Sequence, residues 1–213
     1  MKRAIALGTF DGVHIGHRAI INAAKEKAEG MGMEPMIYTF TAHPMALFGK
    51  RPPLLMTQSE RMAALGGMGC TLSADEFSAE YAATEPEQFI KMLIERFNMG
   101  CAVAGFNYTF GRRGEGSVDT LKELGEKYGF AVAIVPPVMY KGEAVSSTRI
   151  RACLEAGRVK DAGEMLGAPY SITGPVIRNR GIGRTLDYPT ANIAGWEDRA
   201  VPMAGLNTAA GSD

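Results

Sequence analysis

Short apolar runs recur along the first two thirds of the chain. Ala4-Ile5-Ala6-Leu7 stops at Gly8, and Cys101-Ala102-Val103-Ala104 stops at Gly105. Met36-Ile37-Tyr38-Thr39-Phe40 and Ala131-Val132-Ala133-Ile134-Val135 run into segments that contain proline. Such runs, bounded by turn residues, are the pattern of strands covered on both faces. Between them the period becomes helical. Ala19, Ile20, Ala23, Ala24 and Lys27 share a helical spacing over 17–28, which Gly30 and Gly32 end. A second helical stretch covers 59–65. Thr84 or Glu85 before Pro86 signals the start of a third helix, and Phe89, Met92, Leu93 and Phe97 line one face of it. Ser117 caps a helix reaching Tyr128 with Val118, Leu121 and Leu124 inward, and Ser147 or Thr148 caps another ending near Gly157. Pro44, Pro52 and Pro53 make 41–56 a loop or lid.

The order β-α-β-α-(β)-α-β-α-β-α predicts an α/β fold, a mainly parallel sheet with helices on both faces. Ligands in such folds sit at the carboxyl ends of the strands, so the loops after Leu7, Phe40, Ala104 and Val135 should converge on one site. The pattern changes after Gly167. Residues 170–177 alternate and contain Gly174-Pro175, which reads as β structure, while 204–213 is small, polar and expected to fray. The chain therefore divides into 1–167 and a short second unit, 168–213.

Composition removes several classes of function. With 213 residues, 46% of them hydrophobic and 22% charged, the chain is globular. Lys plus Arg (23) balance Asp plus Glu (23), which argues against a general polyanion binder and so against nucleic acid as a partner. Anionic small molecules need only a local positive site. No apolar run suits a membrane span, and no basic-then-apolar leader opens the chain. Cys70, Cys101 and Cys153 are odd in number and far apart without a C-x-x-C pair, as expected of reduced thiols in a cytoplasmic protein.

Two segments carry candidate chemistry. The first is Gly8-Thr9-Phe10-Asp11-Gly12-Val13-His14-Ile15-Gly16-His17, between a strand and a helix. A helix start offers free N–H groups and the positive end of its dipole to a phosphate. Two imidazoles can donate to an oxygen whose charge rises in a transition state, and Gly16 lets a nucleotide approach the backbone. As plain structure, the two histidines would be helix caps; as a metal pair, they lack a third ligand nearby. The second is Val145-Ser146-Ser147-Thr148-Arg149-Ile150-Arg151. Its hydroxyls and arginines at a helix start form an anion site, although Ser-Ser-Thr is also simply a good cap.

Together the H-x-G-H and S-S-T-x-x-R segments resemble the nucleotidylyltransferase superfamily, which carries them on a Rossmann-like sheet. Gly12 stands where adenylyltransferases for pantetheine phosphate or nicotinate mononucleotide commonly have proline. With Thr39-Phe40-Thr41-Ala42-His43-Pro44, Gly105-Phe106-Asn107-Tyr108-Thr109-Phe110-Gly111, and the stretch from Gly174 through Gly183-Arg184-Thr185 to Pro189-Thr190-Ala191-Asn192, the chain resembles the prokaryotic bifunctional riboflavin kinase/FAD synthetase family. The resemblance covers a whole FAD synthetase module over 1–167 and the opening of a kinase β-barrel, incomplete over 168–213.

The resemblance implies FMN adenylylation, with ATP and FMN giving FAD and pyrophosphate, and Mg2+ accompanying ATP. His14 and His17 would hold the phosphates as catalytic residues. Gly8, Thr9, Phe10, Asp11 and Gly16 would line the triphosphate, and Ser146, Ser147, Thr148, Arg149 and Arg151 would bind its departing end. His43, Asn107, Phe110, Arg112 and Arg113 are the flavin-side candidates. In the kinase-like remnant, Gly183, Arg184, Thr190 and Asn192 stand at nucleotide positions, with Thr190 and Asn192 also at the family's magnesium positions. Asp187-Tyr188 replaces the usual Gly-Phe, and roughly 45 residues do not close a six-strand barrel. Riboflavin kinase activity is therefore expected to be absent, and adenylyl transfer is expected not to need 168–213. Two other readings compete: a different small-molecule nucleotidylyltransferase, and a degenerate, non-catalytic flavin- or nucleotide-binding protein.

Overall fold

The computed structural model describes residues 1–177 and 192–203. Strands β1 (Arg3–Leu7), β2 (Glu34–Phe40), β3 (Thr71–Asp75), β4 (Met99–Gly105) and β5 (Ala131–Val135) form a single sheet in the order β3-β2-β1-β4-β5. Every pairing in it is parallel. The connections are helical: α1 (Ile15–Met31), α2 (Gln58–Gly66), the short α3 (Ala79–Ala82), α4 (Pro86–Phe97) and α5 (Val118–Tyr128). The order reverses between β1 and β4, which leaves a crevice at the carboxyl ends of those two strands. This is the predicted Rossmann-like sheet with helices on both faces.

Side chains alternate along β1, and the two cores result from that. Ile5 and Leu7 face Met36, Tyr38, Phe89, Ile90, Leu93, Phe97 and Leu121, so α4 and α5 cover this side. Ala4 and Ala6 face Ile21, Ala24, Ala28, Ile37, Leu65 and Val103, so α1 and α2 cover the other. The small residues Ala4, Ala6, Ala24 and Ala28 let α1 lie close to the sheet. Pro86 occupies the first turn of α4, and Asn98, left-handed at φ 53°, ends it. Cys70, Cys101 and Cys153 are free thiols. Among the described residues no helix is long and apolar enough to cross a membrane.

β5 spans the residues its apolar run indicates. The bracketed strand is β3, whose Thr, Ser and Asp suit a half-covered edge position. Beyond β5 come a hairpin of β6 (Met139–Tyr140) with β7 (Glu143–Ala144), then α6 (Ser147–Glu155) and α7 (Val159–Leu166). Ser146 caps α6, its hydroxyl accepting the Arg149 N–H at 3.2 Å, one residue earlier than the sequence suggests. Of 170–177, β8 (Val176–Ile177) is strand, paired antiparallel with β9 (Asn192–Ile193). Leu55, Ile150, Leu154, Met165 and Ala200 share a third apolar cluster that joins α6 and α7 to the end of the described chain.

Leu93 has no exposed surface and lies between α4 and the sheet. Leu93→Ala is expected to cost about 2–5 kcal/mol of unfolding free energy through lost burial and the cavity left behind. Urea unfolding monitored by circular dichroism measures it.

Candidate active site

The turn after β1 adopts a conformation that local preference disfavours. Phe10, Gly12 and Val13 are left-handed, at φ 50°, 75° and 42°. For Val13, a β-branched residue, this stores strain on the order of 1–3 kcal/mol. Tertiary contacts hold the turn in place. Phe10 is fully buried, its ring beneath Gly8, where a Cβ would come within 3.1 Å of it. The Ser147 hydroxyl donates to Asp11 O at 2.8 Å. The Arg151 guanidinium pairs with the Asp11 carboxylate at 2.7 Å, both groups being buried. Arg18 Nε donates to Val13 O at 3.2 Å.

This turn delivers His14 to the N-cap of α1. Its Nδ1 accepts the His17 N–H at 3.2 Å, and the two rings stack with centroids 3.6 Å apart and 15° between planes. An accepting Nδ1 carries no proton, so the neutral His14 ring bears its proton on Nε2 and is a hydrogen-bond donor there. Burial lowers the His14 pKa to about 4, against an opposing pull from Asp11. Burial also drives His17 well below its ordinary value, with His14 and Arg61 adding to the effect. His17 Nδ1 is buried without a partner among the described residues. The pair is thus neutral and desolvated at neutral pH, with capacity to gain protons or anionic partners.

Both histidines line a cleft of about 360 Å³ at the β1/β4 crevice. Gly16 lines it too; a Cβ there would come within 3.1 Å of the His14 ring. Ser146, Ser147 and Thr148 bring the start of α6 to the same cleft. Two helix N-termini therefore open on one volume, and their first-turn N–H groups have no intrahelical partners. Among the described residues no Lys, Arg, Asp or Glu side chain lines the cleft, so an anion there would meet backbone dipoles and imidazole donors directly, with the buried Arg61 cation acting on His17 from behind them. Val135, Pro136, Pro137 and Val138 form an apolar wall, and exposed Phe106 and Asn107 stand at the end of β4.

The other candidate residues divide between the cleft and its surroundings. Gly8, Thr9 and Phe10 line the cleft, and Asp11 lies behind it on Arg151. Arg151 also donates to Pro53 O at 2.6 Å, so it secures the turn from behind. Arg149 turns to the β6–β7 hairpin, donating to Glu143 O at 2.8 Å and pairing with its carboxylate at 3.2 Å. His43 caps a short 3-10 turn, Pro44–Phe48, through the Met45 N–H. Phe110 is buried against Phe89 and Tyr108 in the core. Arg112 pairs with Glu85 at 2.8 Å, and exposed Arg113 is next to it in the chain. Asn107 is the flavin-side candidate that reaches the cleft. Asn192 lies in β9; Gly183, Arg184 and Thr190 are outside the described residues.

Arg61 carries no signal in the sequence. It is buried on α2 and donates to Thr9 O at 2.8 Å, Thr39 Oγ1 at 3.2 Å, Phe40 O at 2.5 Å and Thr41 O at 3.0 Å. One guanidinium thus ties the carboxyl ends of β1 and β2 together. Among the described residues it has no carboxylate at ion-pairing distance, and burial lowers its pKa against the pull of Asp11. In sequence, Ser59-Glu60-Arg61 looks like a solvated helix face, and nothing local separates Arg61 from an exposed arginine.

Comparison with known proteins gives this geometry a family. The FAD synthetase family matches residues 1–149. The chain belongs to that family. The riboflavin kinase family matches residues 166–209. A bifunctional riboflavin kinase/FMN adenylyltransferase of Listeria monocytogenes is 33% identical, over 97% of this chain and 67% of that protein. The Bacillus subtilis protein of the same name is 37% identical, over 96% of this chain and 66% of its own length. The chain thus spans about two thirds of the length of these relatives. A crystal structure described as a macrolide-efflux protein from Streptococcus pneumoniae superposes with a TM-score of 0.85, at 32% identity, covering 96% of this chain and 67% of that one. The resemblance drawn from the motifs is therefore borne out at the level of the family.

Proton NMR titration of the imidazoles tests the electrostatics of this candidate site. His14 should titrate near pH 4, and pyrophosphate should move its midpoint upward, because a bound anion favours the charged ring. Arg61→Met should raise the His17 midpoint by removing a neighbouring cation. Because the folded His14 value lies below the unfolded one of about 6.5, its contribution to stability is complete above that pH. That contribution is lost as pH falls toward 4, so His14→Gln should flatten the decline in unfolding free energy over this range.

Proposed function

We propose that the chain transfers AMP from ATP to FMN. The observation that carries this reading is the opening of two helix starts, α1 with its histidine pair and α6 with its hydroxyls, onto one cleft of an FAD synthetase fold. An FMN phosphate oxygen attacks the α-phosphorus of ATP, the bond from that phosphorus to the β-phosphate oxygen breaks, and pyrophosphate leaves. The attacking oxygen is already ionised at neutral pH, so no general base is required. The protein's task is to bring two anions into line and to meet the charge that builds on the α-phosphate.

His14 Nε2–H, the His17 ring and the first N–H groups of α1 serve that charge. Thr148 and the start of α6 take the departing pyrophosphate, with Ser147 holding the Asp11 turn. Magnesium arrives as part of the ATP substrate. The wall of Val135, Pro136, Pro137 and Val138 offers an apolar face to the adenine. Asn107 faces the flavin from the end of β4, with His43 on the neighbouring loop, and Phe110, Arg112 and Arg113 behind. Thr190 and Asn192 remain proposed remnants of a kinase nucleotide and metal site. Phosphoryl transfer to riboflavin needs a complete preorganised shell around the acceptor hydroxyl, and the kinase match here covers 166–209.

Mixing the 213-residue chain with ATP, magnesium and FMN and separating flavins by chromatography tests the reading. FAD should accumulate; riboflavin in place of FMN should give no FMN. The double variant His14→Ala/His17→Ala should lose about 100-fold or more in kcat, with FMN binding changed far less. Unaltered turnover in the double variant would remove the histidines from the mechanism.

A further inference from the structure

The end of the described chain, 196–203, packs against residues 54–55, next to the turn after β1. Leu54 N–H donates to Asp198 O at 2.7 Å, and Ala200 N–H donates back to Leu54 O at 2.8 Å. Between them Arg199 is buried, its side chain only 2% exposed. Nη1 meets the Glu60 carboxylate at 2.8 Å, and Nη2 donates to Ser171 O at 3.0 Å and Leu55 O at 3.4 Å. One planar guanidinium thereby links three separate parts of the chain, which a lysine ammonium on its flexible stem does less rigidly.

Two of those contacts, to Leu55 and Glu60, lead toward the phosphate turn. Leu55 lies over Gly12: a Cβ at Gly12 would come within 2.7 Å of Leu55 Cδ1. The neighbouring Pro53 O accepts from Arg151, which also holds Asp11. Residues 53–55 are therefore clamped between Arg151 and Arg199. Glu60 also accepts the Thr57 N–H at 2.7 Å, closing the capping box of α2, and the next residue, Arg61, holds Thr9 O.

We propose that Arg199 is a positioning residue for adenylyl transfer. Carried by the stretch that matches riboflavin kinase, it fixes 53–55 and the start of α2, and through them the Asp11–Gly12 turn and the His14–His17 stack. The inference rests on the activity proposed above. It reverses the expectation that 168–213 is dispensable for that activity, because a segment of this unit completes the packing under the phosphate turn. Removing the guanidinium strips Glu60 of its charge partner and takes a donor from Ser171 O and Leu55 O, so stability should fall along with the placement of the site. The placement is therefore read well below the unfolding temperature, where the folded population is complete.

The test uses the full chain with Arg199→Met and Arg199→Lys. At a temperature well below unfolding, Arg199→Met should lower kcat for FAD formation about tenfold or more, as expected when reacting groups are displaced by a fraction of an ångström to an ångström. It should also shift the imidazole proton resonances of His14 and His17. Arg199→Lys, which keeps the charge for Glu60, should recover part of both effects. Unchanged kcat and unchanged imidazole signals in Arg199→Met would overturn the proposal, even with a lowered Tm. Should Arg199→Met fail to fold, Glu60→Gln decides the matter. It keeps an acceptor for Thr57 but weakens the pair, so it must change kcat and the imidazole signals in the same direction, or the proposal fails. Wild-type chain that forms no FAD would refute the proposed activity alone, since the imidazole signals test the positioning independently.

Discussion

The site depends on a buried ion pair between residues 140 positions apart in sequence, Asp11 and Arg151. The turn that contains Asp11 has left-handed residues at Phe10, Gly12 and Val13, a conformation that valine does not adopt by preference. It persists because contacts surround it. Arg151 grips the carboxylate, Ser147 donates to the Asp11 carbonyl, Arg61 donates to Thr9 O, and Leu55 fills the space over Gly12. Local strain held by distant partners is a recurrent feature of functional turns. Here it produces one outcome, the placement of His14 as the cap of α1, directly beside the start of α6.

The electrostatics derive from that placement. Among the described residues the proposed phosphate cleft has no lysine or arginine in its lining. Oriented N–H groups and neutral imidazole donors do not have to give up a hydration shell at the moment of reaction, and they strengthen as substrate excludes water. The histidines are neutral because they are buried and stacked on each other. His14 Nδ1 is occupied by the His17 N–H, so its lone pair is unavailable for attack on phosphorus. His14 is therefore built to donate rather than to serve as a nucleophile. This is also how a chain of zero formal charge could carry the proposed site for two phosphorylated substrates.

Much of the fold is legible in the sequence. The apolar runs at β1, β2, β4 and β5 are continuous because both faces of those strands are covered, and they identify themselves. β3 lies at an edge, is half covered and carries Thr71, Ser73 and Asp75, so its pattern is faint. The two segments that come together at the cleft stand out because each joins a helix start to residues of unusual composition. The arginines are not legible. Arg151, placed by its spacing among the phosphate ligands, is committed to Asp11 and Pro53. Arg61 and Arg199 look like surface charge in sequence, and only the fold reveals that each is buried and donates to backbone carbonyls, Arg199 to the Glu60 carboxylate as well. Side-chain direction at a helix start also eludes the pattern: Ser146 caps α6 and releases Thr148 to the cleft, where the sequence favours Ser147 or Thr148 as the cap.

If the histidine pair stabilises charge at phosphorus while FMN attacks directly, the stereochemistry at that phosphorus must record a single displacement. The chain would be given ATP made chiral at the α-phosphorus by sulfur substitution, and the configuration of the resulting FAD thiophosphate would be determined by phosphorus NMR. One direct displacement predicts inversion. Retention would mean two displacements through an adenylylated side chain, and would contradict the assignment of His14 and His17 as hydrogen-bond donors.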